Sequence, residues 1–402
     1  MLQVPQTLHP KALMRIAMAM AFIQFTNGLE YMMFNPVFAF MAADFVVPVS
    51  FSGYVSGMYT AGAVISGVLA FYWISRFNKK YFLIVNMALL GLLTFLTTFI
   101  SSFSSLLILR FCAGLVGGTT MGVGISILIN NAPTNLRGKM LATVIASFPM
   151  ISIAGMPTIL FLCTHYGWHV ALWLISALCL LTLPLIVFVV PQTSDSVDSI
   201  RTPSIDVDTL LFASSNALVQ FSPMLIVPVL VPLLTQQLSA SQDLLPWLFF
   251  GGGISGYLAT KITGVLISRY SALLLATGST TVLMISLLMP ALGYQHAALF
   301  ITLFLAASYS RLVLSSAVTI QFPHERQRAG FSSLQTSIMY LVTTVAFFLS
   351  SFLLPDQILA PENVNILLAV CAISALIFPV VVLILQKKLA KRMIHPAPLM
   401  ND

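Results

Sequence analysis

The sequence predicts an all-α integral membrane protein with twelve transmembrane helices arranged as two pseudo-symmetric six-helix bundles. This prediction depends on an extremely apolar composition, long apolar runs between short polar breaks, and features that recur across the middle of the chain. Of the 402 residues, 58% are hydrophobic and 7% are charged, whereas about 25% of the residues of a soluble domain are charged. No soluble fold hides so much apolar surface, so we expect the chain to lie in a lipid bilayer.

The apolar runs have the length of membrane-spanning helices. About 20 apolar residues in a helix cross the hydrocarbon core, and only helices and closed barrels satisfy their backbone polar groups in lipid. The runs are longer than barrel strands and lack an alternation of period two, which leaves helices. Reading between polar breaks, we predict spans at 12–42, 49–74, 81–101, 104–131, 138–163, 168–190, 208–236, 243–267, 271–292, 296–321, 330–354 and 364–386.

The basic residues give the expected topology. With a cytoplasmic N-terminus and twelve spans, every Lys and Arg except Arg110, Lys261 and Arg311 falls on the cytoplasmic side, as the positive-inside rule requires. We therefore expect a multi-pass protein of the plasma membrane, a bacterial inner membrane, with both termini cytoplasmic. The formal charge of +7 then reflects topology and does not indicate nucleic acid as a partner. We expect the first span to be retained and not cleaved as a signal peptide, because its apolar run is long and contains Glu30.

Similar features recur on the two sides of a hydrophilic break at residues 191–206. Ile74-Ser75-Arg76-Phe77 returns as Ile267-Ser268-Arg269-Tyr270, and Pro36 returns as Pro228, at nearly the same offset. A constant offset indicates two homologous halves, which in transporters enclose the substrate near the bilayer midplane. We predict an N-terminal six-helix bundle at 1–190, a cytoplasmic linker at 191–206, and a C-terminal six-helix bundle with a short basic tail at 207–402.

Four motifs resemble those of the major facilitator superfamily, within it the arabinose-efflux-permease-like members of the drug:proton antiporter branch. Ser75-Arg76-Phe77-Asn78-Lys79-Lys80 resembles motif A, with Ser75 and Asn78 where Asp and Gly are usual. Arg110 in the fourth span resembles the intramembrane arginine of motif B, and Gly155-Met156-Pro157 resembles part of motif C. Gly167-Trp168-His169 resembles the Gly-Trp-Arg that opens the sixth span. The resemblance implies the major facilitator fold, proton-driven export, and a cytoplasmic gate formed by Arg76, Lys79, Lys80 and the repeat counterpart Arg269.

Charged side chains inside predicted spans are the strongest functional signal. Each costs about 2.5 to 3.5 kcal/mol on insertion scales, so Glu30, Arg110, Lys261 and Arg311 each need a partner, water or a function. By helical rise, Glu30 lies about 16 Å and Arg110 about 9 Å below the outer boundary, within the reach of a guanidinium. We predict that they form the proton-coupling pair, because burial raises the pKa of a carboxyl group and pairing with a guanidinium lowers it. The alternative is a static pair that locks two helices.

Several polar residues are candidates for substrate binding. Gln24, Asn27, Tyr31 and Asn35 form a polar stripe on the first span, and the seventh and eleventh spans add Asn216, Gln220 and Tyr340. Packing between helices is the alternative for the amides and for Tyr340, and snorkelling to the interface is the alternative for Lys261. With Lys261 and Arg311, these charges predict a net cationic cavity that favours anionic or carboxylate-bearing solutes.

The function that the sequence predicts is proton-coupled export of a small organic solute or drug by alternating access. The expected partners are this solute, protons and the lipid bilayer, and we expect a monomer without cofactors. No Walker A motif, paired catalytic acids or metal cluster is present in the sequence, so an enzyme or an ATP-driven pump is not expected. The alternatives are an importer of a small metabolite and a membrane receptor or scaffold that has lost transport.

Overall fold

A computed structural model of the chain describes residues 10–73, 77–131, 134–191, 206–323, 328–355 and 359–394. All regular structure in these residues is helical, which confirms the all-α prediction. The α-helices of the first half are α1 Pro10–Met41, α2 Ser52–Trp73, α3 Lys79–Leu96, α4 Phe103–Gly117, α5 Thr120–Asn131, α6 Thr134–Ile145, α7 Ser147–Met150, α8 Met156–Tyr166 and α9 Trp168–Val189. Those of the second half are α10 Val207–Ile226, α11 Leu230–Pro232, α12 Leu245–Leu266, α13 Ala272–Ala291, α14 Ala297–Thr319, α15 Arg328–Leu353, α16 Pro361–Ala375 and α17 Ile377–Ile394.

Eleven stretches of helix in the described part of the chain are long and apolar enough to cross a membrane. They correspond to eleven of the twelve predicted spans. The remaining predicted span is α12, which has 22 residues. Its mean hydropathy is lower than that of the other eleven, because it contains Gly251, Gly252, Gly253 and Lys261. Length therefore agrees with twelve spans, and composition alone identifies eleven.

Several spans are interrupted helices. The fourth predicted span consists of α4 and α5, which are separated by a turn at Gly118 and Thr119. The seventh passes from α10 through a 3-10 turn at Val227–Val229 into a π-helical turn at Leu233–Gln237. Pro223, Pro228 and Pro232 explain this irregularity, because proline lacks the N–H that an α-helix needs and clashes with the preceding turn.

The described residues form two compact units. Unit 1 contains those of 1–198 and 241–250, and unit 2 contains those of 199–240 and 251–402. Most of the predicted linker, residues 192–205, lies outside the described part of the chain.

In unit 1, α2 and α4 are in backbone contact. A Cβ on Gly114 would lie 1.9 Å from the carbonyl oxygen of Tyr59, and one on Gly62 would lie 2.3 Å from that of Phe111. Ser66 donates to the Gly114 carbonyl across the same contact, at 3.4 Å. Small residues let two helices approach closely in lipid. Gly114, Gly118 and Gly122 recur at every fourth residue along α4 and α5. Gly114 and Gly118 have this packing role, whereas Gly122 has open space where a Cβ would lie.

In unit 2, α12 and α14 meet in a similar way. A Cβ on Gly252 would lie 2.8 Å from Leu305, and one on Gly256 would lie 2.4 Å from the ring of Tyr309. Ser255 donates to the Thr302 carbonyl at 3.0 Å. Ser66 and Ser255 occupy the same place in the repeated segments Ile65-Ser66-Gly67-Val68-Leu69-Ala70 and Ile254-Ser255-Gly256-Tyr257-Leu258-Ala259. The two units therefore repeat a serine-to-carbonyl contact between equivalent helices.

Candidate functional site

A buried ion pair lies inside unit 1. Glu30 on α1 and Arg110 on α4 are 0% and 1% exposed, and Nη1 of Arg110 donates to Oε1 of Glu30. The hydroxyl of Thr94 on α3 lies 3.2 Å from the same oxygen and 2.9 Å from the Leu90 carbonyl. Three helices thus meet at one carboxylate, and the predicted contact between Glu30 and Arg110 is confirmed.

Aromatic rings enclose the guanidinium of Arg110. Its Cζ lies 3.7 Å from the ring centre of Phe34 and 4.7 Å from that of Tyr59. Tyr31 stacks on Tyr59 with a centroid distance of 5.0 Å. A cation over an aromatic face is stabilised by the ring quadrupole, and more so where water is excluded. The rings therefore compensate part of the cost of burying Arg110.

The ion pair leaves polar atoms without partners. Among the described residues, Oε2 of Glu30 and both Nε and Nη2 of Arg110 are buried and make no hydrogen bond. Buried polar groups are satisfied in most native structures, so unpaired ones call for an explanation. The free edge of Arg110 has the geometry of a guanidinium fork, which binds a carboxylate through two parallel bonds.

The predicted stripe of α1 faces the interior of unit 1. Gln24, Asn27 and Asn35 are buried, and Tyr31 is half-buried. A Cβ on Gly117 would lie 3.0 Å from Oδ1 of Asn27 and 2.2 Å from the hydroxyl of Tyr59, so this glycine makes room for both. Asn35 has a more local contact, because its Nδ2 lies 3.5 Å from the Met32 carbonyl. Pro36 leaves that carbonyl without its helical donor.

The partial motif C lies against the helix turn that carries Glu30. Ile151–Gly155 form a π-helical turn just before Pro157. A Cβ on Gly155 would lie 2.7 Å from the side chain of Leu29, and one on Gly28 would lie 2.5 Å from Ile151. π-turns inside α-helices are rare, and many of those that occur lie at functional sites. Here it brings the fifth span against α1 next to the ion pair.

Unit 2 contains a second buried arginine with a different partner. Arg311 on α14 is 0% exposed, and its Nη2 donates to the carbonyl of Ala375 at 3.0 Å. Ala375 is the last residue of α16, and Pro379 follows four residues later. Proline cannot donate the hydrogen bond that this carbonyl would accept in a continuous helix. Arg311 therefore replaces the main-chain donor that Pro379 removes.

The surroundings of Arg311 are mostly uncharged. Its guanidinium lies 5.2 Å from the ring centre of Phe378, and no acidic side chain among the described residues pairs with it. Its Nε and Nη1 are buried without partners in the described part of the chain. One turn before Ala375, the Sγ of Cys371 donates to the Ser222 carbonyl, and the Ser222 hydroxyl donates to the Cys371 carbonyl. These contacts join α10, α14 and α16 around the helix break.

The remaining substrate candidates are buried to different degrees. Asn216 is buried and donates to Ser316 at 3.0 Å, which is the helix-packing contact that we considered as its alternative. Gln220 and Tyr340 are half-buried. Lys261 is exposed, with its ammonium 5.6 Å from the ring centre of Tyr257.

Most of the predicted gate residues lie at helix ends. Lys80 donates to the Val187 carbonyl at 2.7 Å, close to the end of α9. Lys79 begins α3 and is half-buried, whereas Arg269 is exposed between α12 and α13. Arg76 lies outside the described residues. Within the described residues, no group of three His, Cys, Asp or Glu side chains is placed to hold a metal ion.

Around the ion pair, reasoning from the sequence missed Thr94, Phe34 and Tyr59. Thr94 is one of many threonines in apolar spans, and no pattern distinguished it. The roles of Phe34 and Tyr59 required the position of Arg110 to be known. A signal for the break at Ala375 was available, because a proline in an apolar span predicts a free carbonyl four residues earlier.

Comparison with known proteins agrees with this architecture. Residues 20–208 match the model of the Major Facilitator Superfamily. A bacterial homologue of the human lysosomal transporter Spinster, in an inward-facing and occupied conformation, superimposes with a TM-score of 0.72 at 14% identity. That match covers 95% of this chain and 98% of the other. The nucleoside transporter NupG gives a TM-score of 0.70 at 12% identity, covering 93% and 99%. These likenesses show the fold.

Curated relatives are similar at lower coverage. The niacin transporter NiaP of Acinetobacter baylyi is 27% identical over 132 residues, 33% of this chain and 29% of that protein. The uncharacterized MFS-type transporter YceJ of Bacillus subtilis is 25% identical over 185 residues, 46% of each chain. The putative transporter AraJ of Escherichia coli is 20% identical over 285 residues, 68% and 71%. The chain thus matches less than half the length of the first two relatives. The family and the structural neighbours are membrane transporters and not enzymes.

Proposed function

We infer that the chain belongs to the major facilitator superfamily, because it has the major facilitator fold over its length and matches the family model over residues 20–208. We propose that it is a secondary transporter that exports a small organic solute by alternating access, coupled to protons. The single observation that carries the coupling is the buried cluster of Glu30, Arg110 and Thr94.

The cluster supports coupling because it joins a proton site to helix contacts. Glu30 is fully buried and is held through one oxygen only, while its Oε2 has no partner among the described residues. Protonation would cancel the charge that Arg110 pairs with, and the cost of burying Arg110 would then rise. Contacts between α1, α3 and α4 would therefore differ between the two protonation states, as coupling requires.

The solute that fits this chemistry best carries a carboxylate. The unused Nε and Nη2 edge of Arg110 matches a carboxylate, and Asn27, Tyr31, Gln24 and Asn35 lie on the same helix as Glu30. A niacin transporter is among the relatives, and niacin is a small aromatic carboxylic acid. In unit 2 we retain Arg311, Asn216, Gln220, Lys261 and Tyr340 as proposed solute contacts. Arg76, Lys79, Lys80 and Arg269 remain the proposed gate, and the monomer and the cytoplasmic termini remain proposals.

Transport by purified protein in liposomes tests the coupling. The wild type should accumulate a labelled aromatic carboxylate when a pH gradient is imposed and should also show exchange of the same solute without a gradient. Glu30→Gln should keep exchange and lose accumulation, because the amide cannot release a proton. Glu362→Gln serves as the matched control, since Glu362 is an exposed acid in the first turn of α16. Retained pH-driven accumulation by Glu30→Gln would refute the coupling role.

Simple measurements distinguish two other functions from the proposed export. An importer of a small metabolite is the second candidate, since one relative is a transporter of niacin, which is itself a small metabolite. Deletion of the gene would then lower the cytoplasmic level of the solute, whereas it would raise the level for an exporter. A receptor or scaffold without transport, suggested by Ser75 and Asn78 in the motif A segment, would show no solute exchange in liposomes under any gradient.

A further inference from the structure

A cavity of about 250 Å³ lies within unit 2, where several helices begin or end. It is lined by the residues that join α12 to α13, by the last turns of α14 and by the second half of α17. A water molecule occupies about 30 Å³ in the liquid, so this space holds a group of several heavy atoms. Its position at helix ends places it at one boundary of the membrane.

The walls of the cavity are apolar on one side and polar on the other. Leu314, Val318 and Leu389 supply aliphatic surface, and Gln321 and Gln386 supply amides. Tyr270 is half exposed at the rim. Tyrosine is enriched at membrane interfaces, where its ring meets acyl chains and its hydroxyl meets headgroups. This combination fits a molecule with an apolar body and a polar head.

Two basic residues are next to lining residues in the sequence, although they are not themselves part of the lining. Arg269 precedes Tyr270 and Lys387 follows Gln386; both are exposed and have no acidic partner among the described residues. Two acids lie at the start of α10: Asp208 is paired with Lys388, and Asp206 accepts from the Thr209 amide as the helix cap. Ser271, which lines the cavity, also accepts a hydrogen bond from the Leu274 amide at the start of α13. A helix start adds partial positive charge to that of the two side chains.

We propose that this cavity binds the headgroup of an anionic phospholipid, with the start of its acyl chains against the half-buried Leu389. Basic residues at the cytoplasmic end of membrane helices attract anionic lipids, and a guanidinium holds a phosphate in two bonds. A zwitterionic lipid would gain less from the same cations. The site does not depend on the transport function proposed above.

The test measures which lipid stays with the protein. The full-length protein is reconstituted in nanodiscs of phosphatidylcholine with phosphatidylglycerol as the minor lipid, extracted, and examined by native mass spectrometry. The wild type should retain phosphatidylglycerol in excess over its share of the bilayer. In the double variant Arg269→Gln/Lys387→Gln, this excess of retained phosphatidylglycerol should fall about tenfold. Ala317→Phe, which fills the cavity without changing charge, should lose it as well.

Lys11→Gln/Arg15→Gln is the matched control, because it removes one exposed lysine and one exposed arginine from α1 in unit 1. This control should retain the lipid preference of the wild type. An equal loss in the control would show diffuse attraction and overturn the site. Retention by Ala317→Phe would also overturn it. Displacement of the lipid by inorganic phosphate would identify a free-anion site and refute the lipid as its occupant.

Discussion

The two units each bury one arginine completely, but they compensate its charge differently. In unit 1, Arg110 meets a carboxylate and two aromatic rings. In unit 2, Arg311 meets a main-chain carbonyl that Pro379 has left free. A buried ion pair depends on both of its charges, whereas a guanidinium on a carbonyl serves the backbone. Arg110 thus has a titratable group as its partner, whereas Arg311 has the main chain of a helix break as its partner.

The largest expected effect separates these two arginines. Arg110→Leu leaves Glu30 as a buried, uncompensated charge and should cost about 3 to 5 kcal/mol of stability. The double variant Glu30→Leu/Arg110→Leu should recover much of this loss, because no charge then remains. Arg311→Leu leaves no opposite charge and should cost less. Thermal unfolding of the purified proteins in one detergent gives the order, and an Arg311→Leu loss as large as that of Arg110→Leu would contradict the comparison.

The close helix contacts of the two units should also respond differently to an added methyl group. At Gly114 the new Cβ would lie 1.9 Å from a main-chain oxygen, which can move only with α2. At Gly256 it would lie 2.4 Å from the ring of Tyr309, a side chain that can rotate. We expect Gly114→Ala to cost about 3 kcal/mol and Gly256→Ala about 1 kcal/mol.

Gly278→Ala is the control for this pair. Gly278 is a helical residue of α13 with open space around its Cβ position. Alanine should stabilise the helix there by up to about 1 kcal/mol. The same unfolding measurement compares all three variants. Equal losses at Gly114 and Gly256 would mean that the two helix contacts are equally rigid.

A double-mutant cycle tests the role of Arg311 directly. Arg311→Leu should cost about 1 to 3 kcal/mol, because the Ala375 carbonyl becomes a buried acceptor without a donor. Pro379→Ala restores a main-chain N–H four residues after that carbonyl. In the Pro379→Ala background, Arg311→Leu should therefore cost little. If the loss is the same in both backgrounds, the Ala375 carbonyl is not what Arg311 stabilises.

The sequence predicted those features of the fold that the lipid bilayer constrains. The apolar runs defined the spans, because helices are the structures that satisfy the backbone in a bilayer. Helical rise predicted depths for Glu30 and Arg110 that lie within the reach of a guanidinium, and their contact is confirmed. Their role in coupling stays a prediction.

The environments of individual side chains were much less predictable. Lys261 and Arg311 each lie in an apolar span, and an apolar span alone does not show whether its charged side chain is exposed or buried. In the structure Lys261 is exposed and Arg311 is buried. Thr94 was missed because its hydrogen bond depends on where α3 passes α1, which packing of distant residues decides. The repeated Ile-Ser-Gly-x-Leu-Ala segments were visible in the sequence, but the contacts of Ser66 and Ser255 needed the positions of α4 and α14.

The smallest expected effect concerns a position where the chain departs from the family motif. Asn78 stands where motif A usually has glycine, and its side chain accepts from the Lys80 and Tyr81 amides at 3.0 and 3.4 Å, which caps α3. Its repeat counterpart Ser271 caps α13. Asn78→Ala and Ser271→Ala should each cost about 1 kcal/mol, and Asn78→Gly only a few tenths. Unfolding of the three variants checks this. Asn78→Gly as costly as Asn78→Ala would show that the side chain does more than cap the helix, as a residue of the gate would.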